Sequence, residues 1–322
     1  MSTLVGPLLV LLFAVTQALR DVYFGSVFQG VDFFAIILLT FTLSTIIFGV
    51  VALLRAPHQF ARLRGHMPSV ILANLTTALA WSCYFFGLTH LDPSVVNTIH
   101  SAMGPLTVVV LGSFGIRLAQ MPKVGWIENL GYAGIAASIV GLWWVVLSGR
   151  SGLDVGNTSD TVLGLALLAV SGMSITVSLL YCKRLQDAGI GADTVTALRY
   201  LAIIVLAAGV AFWKGGLGGI DTVGQGAALS AAAVVLIVLP LYALQVGIGR
   251  IAPLLSQIIR ALGPIFVFAL AQFDGRLHYS MPVLVCIVIY SVSVLVSNFV
   301  RGWRDEKAKP VTSPAQIQQA RG

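Results

Sequence analysis

Charge is what this sequence most lacks. Asp, Glu, Lys and Arg make up 10% of its 322 residues, against about 25% in an average soluble protein. That is too little to coat a water-facing surface, so a soluble enzyme or a nucleic-acid binder is a poor reading despite the basic pI near 9.6. Cysteine is scarce as well. Cys83, Cys182 and Cys286 are too few and too dispersed for a disulfide framework or a metal knot, and each lies in or beside an apolar run, as a small packing residue does. Zinc-ligand spacing, a Gly-x-Ser-x-Gly turn and a pair of catalytic carboxylates are all missing. The glycine-rich stretch 215–226 has the composition of a phosphate loop, but no strand precedes it and it joins two apolar runs, so it reads as a turn. No enzyme, metal site or cofactor is expected.

What the chain has in abundance is apolar runs. Crossing the hydrocarbon core takes about 20 residues of helix. Ten runs qualify, at about 4–28, 33–54, 69–90, 94–116, 126–147, 161–182, 193–213, 227–249, 252–272 and 281–300. None shows the period-2 alternation of a barrel, so helices are the expected form. The first run has no basic leader and no small-residue cleavage site, and is read as a span rather than a signal peptide. Placing the N-terminus in the cytoplasm puts thirteen Lys and Arg residues on that side and three, Arg150, Lys214 and Arg276, on the other. This bias fits the positive-inside rule and cytoplasmic N- and C-termini. Residues 301–322 are polar, contain Pro310 and Pro314, and read as a disordered cytoplasmic tail.

An internal repeat organises the runs. Ala102-Met-Gly-Pro105 and Ala261-Leu-Gly-Pro264 stand 159 residues apart, and so do Gly115-Ile-Arg-Leu118 and Asp274-Gly-Arg-Leu277 in their Arg-Leu pairs. The expected fold is therefore an all-α membrane protein of ten transmembrane helices in two five-helix repeats, 4–150 and 161–300. Five is odd, so the second repeat enters the membrane inverted. In such architectures the binding site lies near the midplane, beside helices interrupted at matching positions. Gly104-Pro105 and Gly263-Pro264 are the expected breaks, since proline removes a backbone hydrogen bond and crowds the preceding turn.

Charges inside the runs mark candidate site residues. Arg260 lies about 12 Å into its helix at 1.5 Å per residue, near the centre of a core about 30 Å thick. An arginine there normally faces the bundle interior or a wet cavity. Ser256 and Gly263 share its face and Gln257 borders it. Asn97, His100 and Gly104 make a similar stripe on the matching helix, where His100 is either a neutral interhelical group or a proton-coupling one. Asp21 is the one carboxylate clearly inside a run. It shares a face with Gln17, while Arg20 points about 100° away and need not pair with it. These residues are read either as coupling groups or as interfacial ones. Arg199 is either a gating residue or a snorkelling one. Ser171, Ser174 and Ser178, Asn74 with Trp81 and Tyr84, and Tyr242 with Gln245 form polar stripes that either line a cavity or make interhelical hydrogen bonds. Gly134 and Ser138 suit close helix packing, within the chain or between two copies.

Ten spans in two halves, the paired Gly-Pro helices, the Gly-x-Arg-Leu endings and Thr196-Ala-Leu-Arg-Tyr-Leu201 together resemble the drug/metabolite transporter superfamily, specifically its EamA-type exporters, over about residues 4–300. Ile116 and Gly275 stand where that family often has Glu, and Thr40 where it often has Arg, which points to a divergent subgroup. The resemblance implies a multi-pass bacterial inner-membrane protein that exports a small metabolite, often an amino acid, by alternating access. The positive candidate cavity favours a carboxylate-bearing solute. Its partners are that solute, the bilayer and a proton as candidate coupling ion, in a monomer or a homodimer. The alternatives are a flippase or carrier for an activated sugar and, in another class, a non-transporting membrane sensor or scaffold.

Overall fold

The structure is a computed structural model that describes residues 4–115, 125–153, 156–248, 250–251 and 253–307. The side chains of Gln245, Ser256 and Gln257, and the whole of Arg117-Leu118, lie outside that description. All regular structure among the described residues is helical. Among the described residues nine segments are long and apolar enough to cross a membrane, as expected of a multi-pass membrane protein. They contain α1 (Val5–Val27), α2 (Phe33–Arg55), α4 (Met67–His90), α5 (Pro93–Ser113), α6 (Trp126–Leu147), α7 (Thr158–Asp187), the pair α8 (Ala192–Leu198) and α9 (Leu201–Lys214), the pair α10 (Val223–Ala233) and α11 (Leu239–Ile248), and α14 (Met281–Lys307). A short α3 (His58–Arg62) leads through a 3-10 turn into α4. The expected run 252–272 is two nine-residue helices, α12 (Pro253–Ala261) and α13 (Gly263–Ala271).

The loops sort into two groups at opposite ends of the bundle. At one end Gln59 accepts from the Gly191 amide and Thr194, and Gly6 packs on Arg250 and Ile251. At the other, Lys214 pairs with Asp32, the Ser280 hydroxyl donates to the Arg150 carbonyl, and Gly152 lies against Asp92 and His278. Three helices that start at this second end carry Asx caps: Asp32, Asp92 and Asn157 accept from the amides of Phe34, Ser94 and Ser159. Such caps satisfy amides that have no intrahelical partner. Burial pushes the Asp92 carboxyl up, and donors at Ser94, Val95 and Gly152 pull it back in part.

Proline sets the irregular turns, in three different ways. Pro105 lies inside α5, which continues unbroken to Ser113; the expected break at Gly104-Pro105 does not occur. One lost backbone bond is a modest penalty when the packing on both sides is continuous. At Gly263-Pro264 the helix does break, because an outside donor is available: the Ser291 hydroxyl of α14 donates to the Ala261 carbonyl at 3.0 Å. Pro240 has no N–H to continue the normal ladder, and the turn before it, Val234–Val238, widens to a π-helix in which the Leu239 amide reaches the Val234 carbonyl. The α8–α9 break at Arg199-Tyr200 likewise has a partner, since Asn74 of α4 accepts from the Ala202 amide.

Glycine seams hold the long helices together. On α6, Gly131, Gly134 and Gly141 face Ser297, Ser293 and Cys286 of α14, so the small-residue stripe is an intrachain contact. An added Cβ at Gly131 would meet the Ser293 carbonyl at 2.9 Å, which is backbone and cannot step aside. Gly131→Val is expected to cost about 1–3 kcal/mol by overpacking, measured as a lowered unfolding midpoint in detergent. Gly49, with nothing within 4 Å of an added Cβ, is the control: Gly49→Ala should leave the midpoint unchanged. The helix α14 runs to Lys307, so the stretch just after Arg301 is helical rather than disordered tail; Arg, Glu and Lys there are good helix formers. Residues 308–322 lie outside the description.

Candidate functional site

A cavity of about 290 Å³ lies inside the bundle, close to the lower size of pockets that hold small molecules. Its walls come from α1, α4, α5, α6, α7, the α8–α9 break, α11, the α12–α13 break and α14. Of the residues expected to matter, Gln17, Arg20, Trp81, Tyr84, Asn97, His100, Gly104, Pro105, Arg199, Arg260 and Gly263 all line it.

The deepest wall is one hydrogen-bonded network. Arg20 is 4% exposed and Asp21 0%, which excludes the interfacial reading. The two also pair, which the helical wheel left open. Arg20 Nε and Nη2 donate to Asp21 Oδ1 at 2.8 and 2.6 Å. The side chain is long enough to fold back across 100° of helix, and a carboxylate sealed from water has nothing better to bond. Its other oxygen accepts from the Tyr84 hydroxyl and from Asn97 Nδ2, both at 2.7 Å. Tyr84 in turn accepts from Arg20 at 3.2 Å. The Arg20 guanidinium lies 5.2 Å from the ring centres of both Trp81 and Tyr84, within cation–π range. Gln17 lines the cavity above this network, and no hydrogen bond to it is found among the described residues.

Two polar atoms are left over, and their orientation is forced. Asp21 accepts only, so the Asn97 amide must turn its nitrogen that way; its Oδ1 then points elsewhere, is buried and has no partner. Ser171 has one hydroxyl proton, and the Ala80 carbonyl takes it at 2.7 Å. Ser171 therefore accepts from His100 Nδ1 at 2.9 Å. This fixes the neutral tautomer and leaves His100 Nε2 as an acceptor.

Arg260 completes the set. Among the described residues it makes no hydrogen bond and no ion pair, and Tyr290 and His100 lie within its electrostatic reach. The neighbouring Gly263 comes close to Asn97 Oδ1, 3.8 Å from where its Cβ would stand. Arg260, Asn97 and His100 thus converge from α12 and α5. Arg199 is 6% exposed and faces the cavity from the α8–α9 break, with its guanidinium 5.2 Å from the Tyr200 ring centre; it does not snorkel. Its Nε has no partner.

Other expected residues fall outside. Tyr242 is 36% exposed and packs its ring against Phe48 at 5.4 Å, away from the cavity. The π turn inserts about one residue, rotating α11 by roughly 100°, and Leu241 and Leu244 are the residues it turns inward. Ser174 is buried but does not line the cavity, and its stripe serves helix contact: Ser178 bonds Thr77 at 2.6 Å and Ser171 bonds Ala80. Pro264 is buried behind Gly263. Residues not foreseen include Tyr132 on α6 and Tyr290, Asn298 and Arg301 on α14. The last three, with Val294 and Ser297, repeat at helical spacing, a signal present in the sequence.

The cavity extends toward Arg301, at the bundle end that also holds Gln59 and Gly191. The opposite end is plugged. Phe24, Phe28 and Phe85 pack together, with Phe28 5.8 and 5.1 Å from the other two ring centres. Beyond them Arg276 donates to the Gly25 carbonyl of α1 at 2.9 Å and grips Asp274. Burial pushes the Asp274 carboxyl up, but the hydrogen bonds and charge of Arg276 outweigh it and hold the group below the usual range.

No family model matches the chain, and no curated protein matches it. Solved structures do: one of them, whose own description names no activity, aligns with a TM-score of 0.62 at 20% sequence identity, over 93% of this chain and 96% of the other. At that identity the likeness bears on the fold alone, and it spans nearly the whole of both chains.

Proposed function

We propose that this chain is a secondary transporter that moves a small anion-bearing metabolite by alternating access, built from two inverted five-helix repeats in the manner of EamA-type exporters. The repeat reading rests on how helices exchange partners. If α1, α2, α4, α5 and α6 correspond to α7, α8–α9, α10–α11, α12–α13 and α14, then the main contacts between repeats have mates. The packing of α4 on α7 mirrors α11 on α1, α5 on α7 mirrors α13 on α1, and α4 on α9 mirrors α10 on α2, while α2 against α8–α9 and α6 against α14 map onto themselves. A twofold relation between inverted halves has this property. The fourth pair includes the broken α12–α13, which brings the nine crossings to ten. The basic excess favours a cytoplasmic face for the Arg301 end of the bundle, and a bacterial inner membrane is what the resemblance to EamA-type exporters implies.

The observation that carries the transport reading is the cavity itself: it reaches from buried Arg20 and Asn97 toward one end and is blocked by aromatic packing and the Arg276 clamp at the other. One-sided access to a polar site at mid-depth is what one state of an alternating-access cycle requires. The test is exchange of radiolabelled organic anions across vesicles containing the purified full chain. Saturable exchange is expected. Gly104 borders the cavity with only the Thr176 hydroxyl near an added Cβ, at 3.6 Å, so a Gly104→Trp side chain leaves the helix without a clash at its Cβ and should fill the cavity and stop exchange. The reading fails if the wild type exchanges nothing in the panel, or if Gly104→Trp exchanges as fast as the wild type.

A further inference from the structure

The walls of the cavity decide what kind of anion enters. Four arginines line it, Arg20, Arg199, Arg260 and Arg301, and no Asp, Glu or Lys lines it among the described residues. Asp21 lies just behind the wall, and both its oxygens are already taken by Arg20, Tyr84 and Asn97. It cancels Arg20 and has no lone pair directed into the cavity. A zwitterionic α-amino acid would bring its carboxylate to Arg260 and its ammonium into the same arginine-lined space. Its net charge is zero, so it would leave the excess positive charge of the site untouched. The acceptor that remains on the wall, His100 Nε2, is neutral. It asks for a donor but supplies no counter-charge. In a water-poor site a charge without a counter-charge is costly, whereas a neutral O–H donor costs little once its bond is made.

We propose that the cargo is an organic anion without an ammonium group: a carboxylate held by Arg260, a hydroxyl donated to His100 Nε2, and a body packed against Trp81. The cargo class is that of 2-hydroxy acids, not of 2-amino acids. This rests on the transport reading only in taking the same cavity as the cargo site.

The experiment is calorimetric binding to the purified full chain with matched compounds that share a skeleton: phenyllactate with phenylalanine, and malate with aspartate. Phenylpropionate, which lacks the donor, and methyl phenyllactate, which lacks the charge, complete the set. The hydroxy acid of at least one pair is expected to bind at least about tenfold more tightly than its amino counterpart. Phenylpropionate should be about tenfold weaker than phenyllactate, because a site built to bond a hydroxyl rejects the analogue without it. The ester should not bind, and Arg260→Gln should weaken the hydroxy acid at least about tenfold. Equal or tighter binding of the amino acids overturns the proposal, as does binding of neither class. Amino acids that bind and also exchange across vesicles would overturn it while leaving transport standing. Hydroxy acids that bind and never exchange would uphold it and remove transport instead.

Discussion

Asp21→Ala is expected to cost about 3–5 kcal/mol of stability, the usual penalty for removing one partner of a buried ion pair. The carboxylate is 0% exposed and accepts from Arg20, Tyr84 and Asn97, so its loss strands a guanidinium, a phenol and an amide together. The guanidinium dominates, because an unpaired buried charge is costlier than an unpaired dipole. The sharper form of the prediction is a double-mutant cycle. Arg20→Leu alone leaves the carboxylate stranded and should also destabilise. Arg20→Leu with Asp21→Ala removes both charges, so the double variant should be more stable than either single one. Replacing a buried pair whole is often neutral, unlike breaking it. Unfolding midpoints and amplitudes in detergent measure all three. Losses that simply add would mean that the two groups do not act as a pair, and that the network is not what holds α1 to α4 and α5.

How much of this was legible in the sequence divides along a physical line. Helices and their approximate bounds follow from apolar length, which is local information, and Arg260, Asn97 and His100 were visible as polar groups with no water to reach. The pairing of Arg20 with Asp21 was not, because a helical wheel places Cβ atoms and says nothing of where a long flexible side chain ends. Tyr242 was misplaced by one π turn whose cause, Pro240, is plain in hindsight but whose register shift depends on how the neighbouring turn relaxes. The two Gly-Pro pairs look alike in sequence and differ in structure. Ser291 offers a donor to the Ala261 carbonyl, and that donor comes from a helix distant in the chain. The role of α14 in the cavity had a signal in the sequence too, the regular stripe of Tyr290, Ser297, Asn298 and Arg301, but that run carries neither a charge deep inside it nor a Gly-Pro pair, the two marks that single out the other helices.

Arg260→Ala is expected to act with the opposite sign on stability and with a large effect on binding. Arg260 has no hydrogen bond or ion pair among the described residues, so removing it strands nothing. A cation with no ion pair among the described residues, within reach of His100 and lining the same cavity as Arg199, is a repulsive element in the empty protein. Its loss should therefore leave the unfolding midpoint unchanged or raise it, as often happens when a site residue is kept for function at the expense of stability. Affinity should collapse. Truncating one side of a buried, hydrogen-bonded charge pair costs about 2–5 kcal/mol, which is roughly a 30-fold loss or more at 1.4 kcal/mol per tenfold. Arg260→Lys should fall between, since an ammonium keeps the charge but loses the planar fork that meets a carboxylate in two places. The pair of readouts separates the possible roles of the residue. Lost affinity with a steady or higher midpoint marks Arg260 as a group that meets cargo. A lower midpoint with affinity intact would make it a structural cation whose partner lies in the protein, and the anion site would have to be sought at Arg199 instead.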